Sequence, residues 1–161
     1  MNRKIILTLF ILSTSLMAQV GGTYYIRETN QLYSGPYVLY YKNGQKELKV
    51  LINDGEEHGL YTRWYDNGQK ENEGNYKDGK HDGLWTTWYE NGEKRLEVTY
   101  NYGKEDGLWT LWRESGQKER ELTFKDGKEI ERTEWYYLKN GQKRFEETYK
   151  DGEQIGDTKY Y

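Results

Sequence analysis

The chain has 161 residues, room for one domain of ordinary size, with 24 Lys+Arg against 27 Asp+Glu, a net charge of −3 and no cysteine. That balance argues against gripping nucleic acid or an anionic membrane through a broad positive field. The missing cysteines exclude a disulfide framework, a thiol nucleophile and lipid attachment through a thiol.

Only 34% of the residues are hydrophobic, which on its own suggests disorder, yet 16% are aromatic, including 17 Tyr and 6 Trp. Disordered chains are poor in rings, so this chain is expected to fold and to bury Tyr and Trp where other domains bury Leu and Ile. The single Pro and 18 Gly point to many tight turns.

Residues 1–18 differ from everything after them. Arg3 and Lys4 give a basic start, Ile5 to Leu12 is apolar except for Thr8, and Ser13 to Ala18 is mostly small. That order is the layout of an export signal peptide, cut between Ala18 and Gln19. The apolar run is too short to span a bilayer, which takes ~20 residues. The expected products are a leader, 1–18, and a mature repeat domain, 19–161. The mature chain keeps 22 basic against 27 acidic residues, a charge of −5, and has no predicted transmembrane segment. The expected location is the periplasm, the envelope or the medium.

From Gly35 onward the chain repeats. Asn43-Gly44 recurs as Asn67-Gly68, Asn91-Gly92, Ser115-Gly116 and Asn140-Gly141, with glycine spacings of 24, 24, 24 and 25. A second series, Gly55, Gly79, Gly103, Gly127 and Gly152, keeps the same spacings. Two landmarks that share one period and one single-residue insertion define a true repeat. Each period reads as two strands rich in Trp, Tyr, Thr and Val joined at Asn-Gly, the signal of a hairpin with a two-residue type I′ turn. Five full hairpins fit between Gly35 and Lys150, with half-units at Tyr24–Thr29 and Gly156–Tyr161. The expected fold is all-β, an elongated, twisted antiparallel sheet of some twelve strands, on the order of 55 Å long at ~4.8 Å per strand.

A two-residue Asn91-Gly92 loop sets the faces. Tyr89 then opposes Lys94, Thr87 opposes Leu96, Trp85 opposes Val98 and Gly83 opposes Tyr100, and the row Ile52, Tyr76, Tyr100, Phe124 and Tyr149 forms an apolar ladder. The other face pairs Trp88 with Arg95 and Thr86 with Glu97. It carries a Trp column (Trp64, Trp88, Trp112) and a Glu column (Glu73, Glu97, Glu121, Glu146). A one-residue slip would exchange the faces. The glycines Gly35, Gly59, Gly83, Gly107 and Gly156 answer a backbone need at a turn exit and face the ladder, where a side chain would crowd the rings. Lys46, Lys70, Lys94, Lys118 and Lys143 are expected to cover aromatic surface and pair with carboxylates.

The pattern G-x-W-x-x-W-Y-x-N-G-x-K-x-x-E-x-x-Y-x-x-G-K resembles the bacterial MORN-variant repeat, whose proteins are often grouped as YwqK-like antitoxins of toxin–antitoxin systems. The resemblance covers residues 24–161. It implies an elongated sheet serving as an interaction platform, without catalysis. The first repeat has Tyr40 in place of Trp, and the fifth has Glu131 or Arg132 where Gly is expected.

Candidate chemistry is thin. His58 and His81 fall at different repeat offsets in polar turns, which argues against an acid–base or metal role. Asp54, Asp78, Asp126 and Asp151 precede turn glycines, as ordinary Asp-Gly turns do. The Glu column repeats in every unit, whereas an active site is normally unique. No catalytic residue, metal or cofactor is expected. The Trp64, Trp88 and Trp112 column, extended by Tyr40, is the candidate partner-binding stripe. Its expected occupant is another protein, with an exported glycan- or wall-binding role as the alternative.

Overall fold

The structure, a computed structural model, describes residues 17–20, 22–26 and 29–161. The expected leader lies outside the described residues except for Met17 and Ala18. All described regular structure is strand. A small sheet holds β1 (Met17–Val20), β2 (Thr23–Ile26) and β3 (Gln31–Leu32). The hairpins follow as β4 (Gly35–Tyr40) with β5 (Lys46–Asn53), β6 (Glu56–Trp64) with β7 (Lys70–Lys77), and β8 (Lys80–Trp88) with β9 (Lys94–Asn101). Then come β10 (Lys104–Trp112) with β11 (Lys118–Lys125), and β12 (Lys128–Tyr137) with β13 (Lys143–Lys150). These ten strands pair antiparallel in chain order. Two short pieces, β14 (Glu153–Gln154) and β15 (Lys159–Tyr160), both pair with β13, and complete an open sheet of 12 strands. The C-terminal half-unit is therefore where the repeat predicts it.

The N-terminal half-unit is not. Thr23–Ile26 pairs with Met17–Val20 and with Gln31–Leu32 in the separate sheet. The β1–β2 ladder also runs across the expected cleavage point, with Ala18 opposite Tyr25 and Gln19 opposite Tyr24. The reason for the separate sheet is burial. Tyr24 and Tyr33 pack onto Val50 and Ile52 to make the main core, with Ile26, Tyr37, Tyr61 and Tyr76 around it. Tyr24 meets Tyr37 edge-on at 5.0 Å. The Gly55 turn is clamped between them: Tyr24 N–H donates to Gly55 O at 2.9 Å, and Gly55 N–H donates to Tyr33 O at 2.8 Å. An end repeat needs such cover, because it has a neighbour on one side only.

The type I′ turn expected at Asn-Gly is found instead at the second glycine series. At Asn91-Gly92, Gly92 N–H donates to Tyr89 O and Tyr89 N–H to Glu93 O, both at 2.9 Å. Only the glycine has positive φ, +87°, and Asn91 does not. This is a three-residue loop, a type I turn followed by a glycine bulge, not a type I′ turn. The type I′ geometry sits at the other series, where Asp54 and Gly55 have φ of +48° and +80° and Asn53 pairs directly with Glu56.

Of the glycines before the aromatic strand, Gly35 does answer to ring crowding, since a Cβ there would lie 2.7 Å from the Tyr33 hydroxyl, but Gly59 and Gly83 have a different cause. Gly59 and Gly83 have φ of +72° and +79°, and a Cβ on either would meet nothing within 4 Å. The positive φ belongs to a bulge. Glu73 opposes Thr86 and Asn75 opposes Asp82, so three residues of β8 face one of β7.

Candidate functional site

The extra loop residue resets pairing at the turn and leaves the strand body as expected. Gly83 faces Tyr100, Trp85 faces Val98, Thr86 faces Glu97 and Thr87 faces Leu96. Beside the turn the register slips, so Trp88 stands opposite Lys94 rather than Arg95, and Tyr89 no longer opposes Lys94. Trp64 and Trp112 likewise stand opposite Lys70 and Lys118.

The result is a repeated cassette on one face. Each lysine bridges to the glutamate three residues on: Lys70–Glu73 at 2.6 Å, Lys94–Glu97, Lys118–Glu121 at 2.7 Å and Lys143–Glu146 at 3.4 Å. The same ammonium groups lie over the next hairpin's ring, Lys70 on Trp88 at 5.6 Å, Lys94 on Trp112 at 5.7 Å and Lys118 on Trp135 at 5.6 Å. The glutamates alternate across the sheet with a row of buried threonines, Thr62, Thr86 and Thr110. The predicted stripe residues do share this face. Trp64, Trp88 and Trp112 are half-buried, and Tyr40 is 47% exposed.

Neighbouring cassettes are tied at their turns. Asn43 Oδ1 accepts from Gln45 N–H at 3.0 Å, and its Nδ2 donates to Asp66 O in the next hairpin at 2.9 Å. Asn67 reaches Glu90 O at 3.1 Å and Asn91 reaches Glu114 O at 3.0 Å in the same way. Tyr41, Tyr65 and Tyr89 donate their hydroxyls to the Trp64, Trp88 and Trp112 carbonyls at 2.6, 2.8 and 2.8 Å. An aspartate could make the first of the asparagine bonds and not the second, which accounts for the amide at this turn.

Spacing of aromatics alone passes over a further column on this face. Leu60, Leu84 and Leu108 are 56, 53 and 49% exposed. Each lies two residues before the buried Thr and four before the Trp, so the period-two rule puts all three on one side. The signal lies in the Gly-Leu-aromatic strand starts.

The opposite face packs rings against one another. His81 lies 3.9 Å from Trp85, 4.9 Å from Tyr76 and 4.9 Å from Tyr100, and its Nε2 is 3.1 Å from the Tyr76 hydroxyl. Burial lowers its pKa below the ordinary histidine value. Burial, followed by the charge of Glu57, raises that of Tyr76. The Tyr24 hydroxyl donates to Glu57 Oε1 at 3.2 Å, and burial pushes the Glu57 carboxyl up. His58 faces Asp78 at 3.6 Å on the other side of the same turn region. Among the described residues, no three His, Cys, Asp or Glu side chains are placed to hold a metal ion, and no helix is long and apolar enough to cross a membrane.

Residues 57–78, 82–102 and 105–126 match the MORN repeat variant family. Each segment is one hairpin with its three-residue loop, running to the Asp-Gly or Tyr-Gly turn. Three successive hairpins of the chain are thus similar to the MORN repeat variant. No curated protein matches it. Among solved structures it is similar to the accessory secretory protein 1, 2 and 3 structure of Streptococcus pneumoniae, at 13% identity and a TM-score of 0.21. That likeness covers 84% of this chain and 20% of the other, so the chain spans about a fifth of the protein it matches. MORN repeats are in general binding repeats, which directs attention to the cassette face.

Proposed function

We propose that this chain is an exported, non-catalytic scaffold whose MORN-variant repeats hold a partner protein along the Leu60–Leu84–Leu108 and Trp64–Trp88–Trp112 face. The leucine column carries the reading: three large apolar side chains, each about half exposed, stand in a line at the repeat spacing. Equivalent positions two strands apart are ~9.6 Å from one another. Such a line fits apolar side chains of an extended partner element, with the Lys–Trp–Glu cassettes as a polar rim. The order of charge, apolar run and small residues in 1–18 supports export. The partner is then an exported or envelope protein, and antitoxin-type neutralisation is one form such binding takes.

The test is affinity capture from envelope extract with the full chain and with an L60S/L84S/L108S variant shown to fold by circular dichroism. The expected result is a discrete protein held by the native chain and lost by the variant. Retention by both alike would refute the placement of the surface. Retention on wall glycan, with release by soluble sugar, would replace the protein scaffold with a glycan-binding role.

A further inference from the structure

The first hairpin breaks the charge pattern of the other four. In those, the lysine after the turn has a glutamate three residues on. In the first, Lys46 is followed at that position by Lys49. A second cation stands where the pattern places a carboxylate.

The same row shows what is missing. Across the sheet Lys49 opposes Thr62, Thr62 opposes Glu73, Glu73 opposes Thr86 and Thr86 opposes Glu97. Carboxylate and threonine alternate strand by strand, and on the outer side Val38 opposes Lys49 in a threonine position. The nearest carboxylate of the row, Glu73, is already held by Lys70 at 2.6 Å and by the Thr62 hydroxyl at 3.3 Å. Lys42, Lys46 and Lys49 are all exposed. Lys46 and Gln45 line a shallow recess with Trp64 and Gly68, and Tyr40 stands exposed beside them. Among the described residues β4 pairs with β5 alone, so its outer edge is open. Pro36 removes one outward donor near its start and its carbonyl accepts from the Tyr33 hydroxyl at 2.8 Å, and the alternation of the β4–β5 ladder leaves the outward groups of Val38 and Tyr40 to pair.

We infer that the β4 edge and the Lys42, Lys46 and Lys49 patch bind an extended acidic peptide, which adds as a strand and supplies the carboxylates the first hairpin lacks. One strand beyond β4 is the next carboxylate position of the alternating row. It lies ~10 Å from Lys49, within the combined span of a lysine and a glutamate side chain. The open edge favours peptide over acidic saccharide, because a strand's N–H and C=O groups match it and sugar hydroxyls do not. Three lysines gathered at one end of an acidic chain supply the charge complementarity. The site is independent of the leucine column, so either assignment can fail alone.

The probe is a labelled ten-residue peptide alternating Val and Glu, titrated with the full chain at low salt and followed by fluorescence anisotropy. Lys49→Glu is the decisive variant, since it restores the Lys-x-x-Glu of the other hairpins and so keeps the fold. The Val/Glu peptide should bind, its Val/Lys counterpart should not, and K49E should weaken binding roughly tenfold or more, as reversing a contact charge does. The L60S/L84S/L108S variant should bind the peptide unchanged. Failure of the Val/Glu peptide to bind, or equal binding by K49E, would overturn the site. Undiminished binding of a backbone N-methylated peptide would overturn strand addition, and capture of an oligogalacturonate in place of the peptide would overturn the choice of ligand.

Discussion

Replacing Gly74 with valine tests the packing of the aromatic face at its tightest point. Gly74 occupies the repeat position of Val50, Val98 and Leu122, all three buried. A Cβ at Gly74 would fall inside the Trp85 ring, against Cδ2, Cε2 and Cγ, so the indole lies flat on the glycine backbone. From there Trp85 meets Tyr61 at 5.4 Å, Tyr76 at 5.0 Å and His81 at 3.9 Å. Valine must push the ring off these partners. Overpacking of this kind costs about 1–3 kcal/mol, and relief of the glycine in a strand returns about 0.5–1 kcal/mol. The two figures bracket a net loss of about 0–2.5 kcal/mol, and the near approach of the Cβ to three indole atoms favours the upper half. It should stop short of unfolding, because Val98 stands directly opposite Trp109 one hairpin later. Urea unfolding followed by far-ultraviolet circular dichroism measures it. The double-mutant cycle sharpens the test, since in a W85A background the valine introduced by G74V fills space rather than contests it. Its effect should then turn neutral or stabilising, with a coupling of about 1 kcal/mol or more. A G74V chain as stable as the native one, or an equal loss with and without Trp85, would refute the stacked geometry.

Three further outcomes follow from the turns and the buried histidine. Asn67→Asp keeps the bond to Gln69 N–H at 2.9 Å and loses the donor to Glu90 O at 3.1 Å. It should lower stability by about 1 kcal/mol, read from the urea midpoint. Asp78→Ala should cost about 1 kcal/mol because the position has φ of +50°, whereas Asp78→Gly should be nearly neutral in the same assay. Burial depresses the pKa of His81 from the ordinary 6.5. The unfolded chain therefore takes up a proton near that value while the folded chain does so only at lower pH. The stability present above that pH should fall as pH drops through it. Urea midpoints on either side of pH 6.5 should show a drop that is smaller in a His81→Phe chain, and an equal drop in both would exclude His81 as its source.

The period, the strand bodies and the face parity were legible because each depends on local chemistry: glycine at a turn, alternation along a strand, aromatic enrichment. The identity of the turns was not. Asn-Gly satisfies a type I′ turn as well as a type I turn with a glycine bulge. The choice is made by the Asn67 amide reaching Glu90 O and the Tyr65 hydroxyl reaching the Trp88 carbonyl, both in the next hairpin. Those partners lie 23 residues away, beyond any local pattern. The N-terminal sheet escaped for a related reason. Tyr24 and Tyr33 look like strand residues of one more repeat, and only their burial against Val50 and Ile52 takes them off the ladder. The exposed leucines could have been read from the parity of Gly-Leu-aromatic with the following Thr and Trp.

The two ends of the repeat array decide which face is open along its length. On the aromatic face the first hairpins are covered by the β1–β3 sheet through Tyr24 and Tyr33. At the other end, where Gly gives way to Glu131 and Arg132, no residue of that pair has positive φ and β12 runs on for 10 residues. Arg132 then enters the aromatic row, 4.6 Å from the Tyr149 ring, and bridges to Glu129 and Glu134 at 3.1 Å each, with Arg120 also on Glu134 at 3.1 Å. A lid at one end and a charge network at the other thus bound a short run of half-buried rings on that face. The cassette face has no such interruption between Leu60 and Leu108: the same Leu, Thr and Trp recur on β6, β8 and β10 in the same orientation. The cassette face is therefore the one on which the repeat runs unbroken through three successive hairpins.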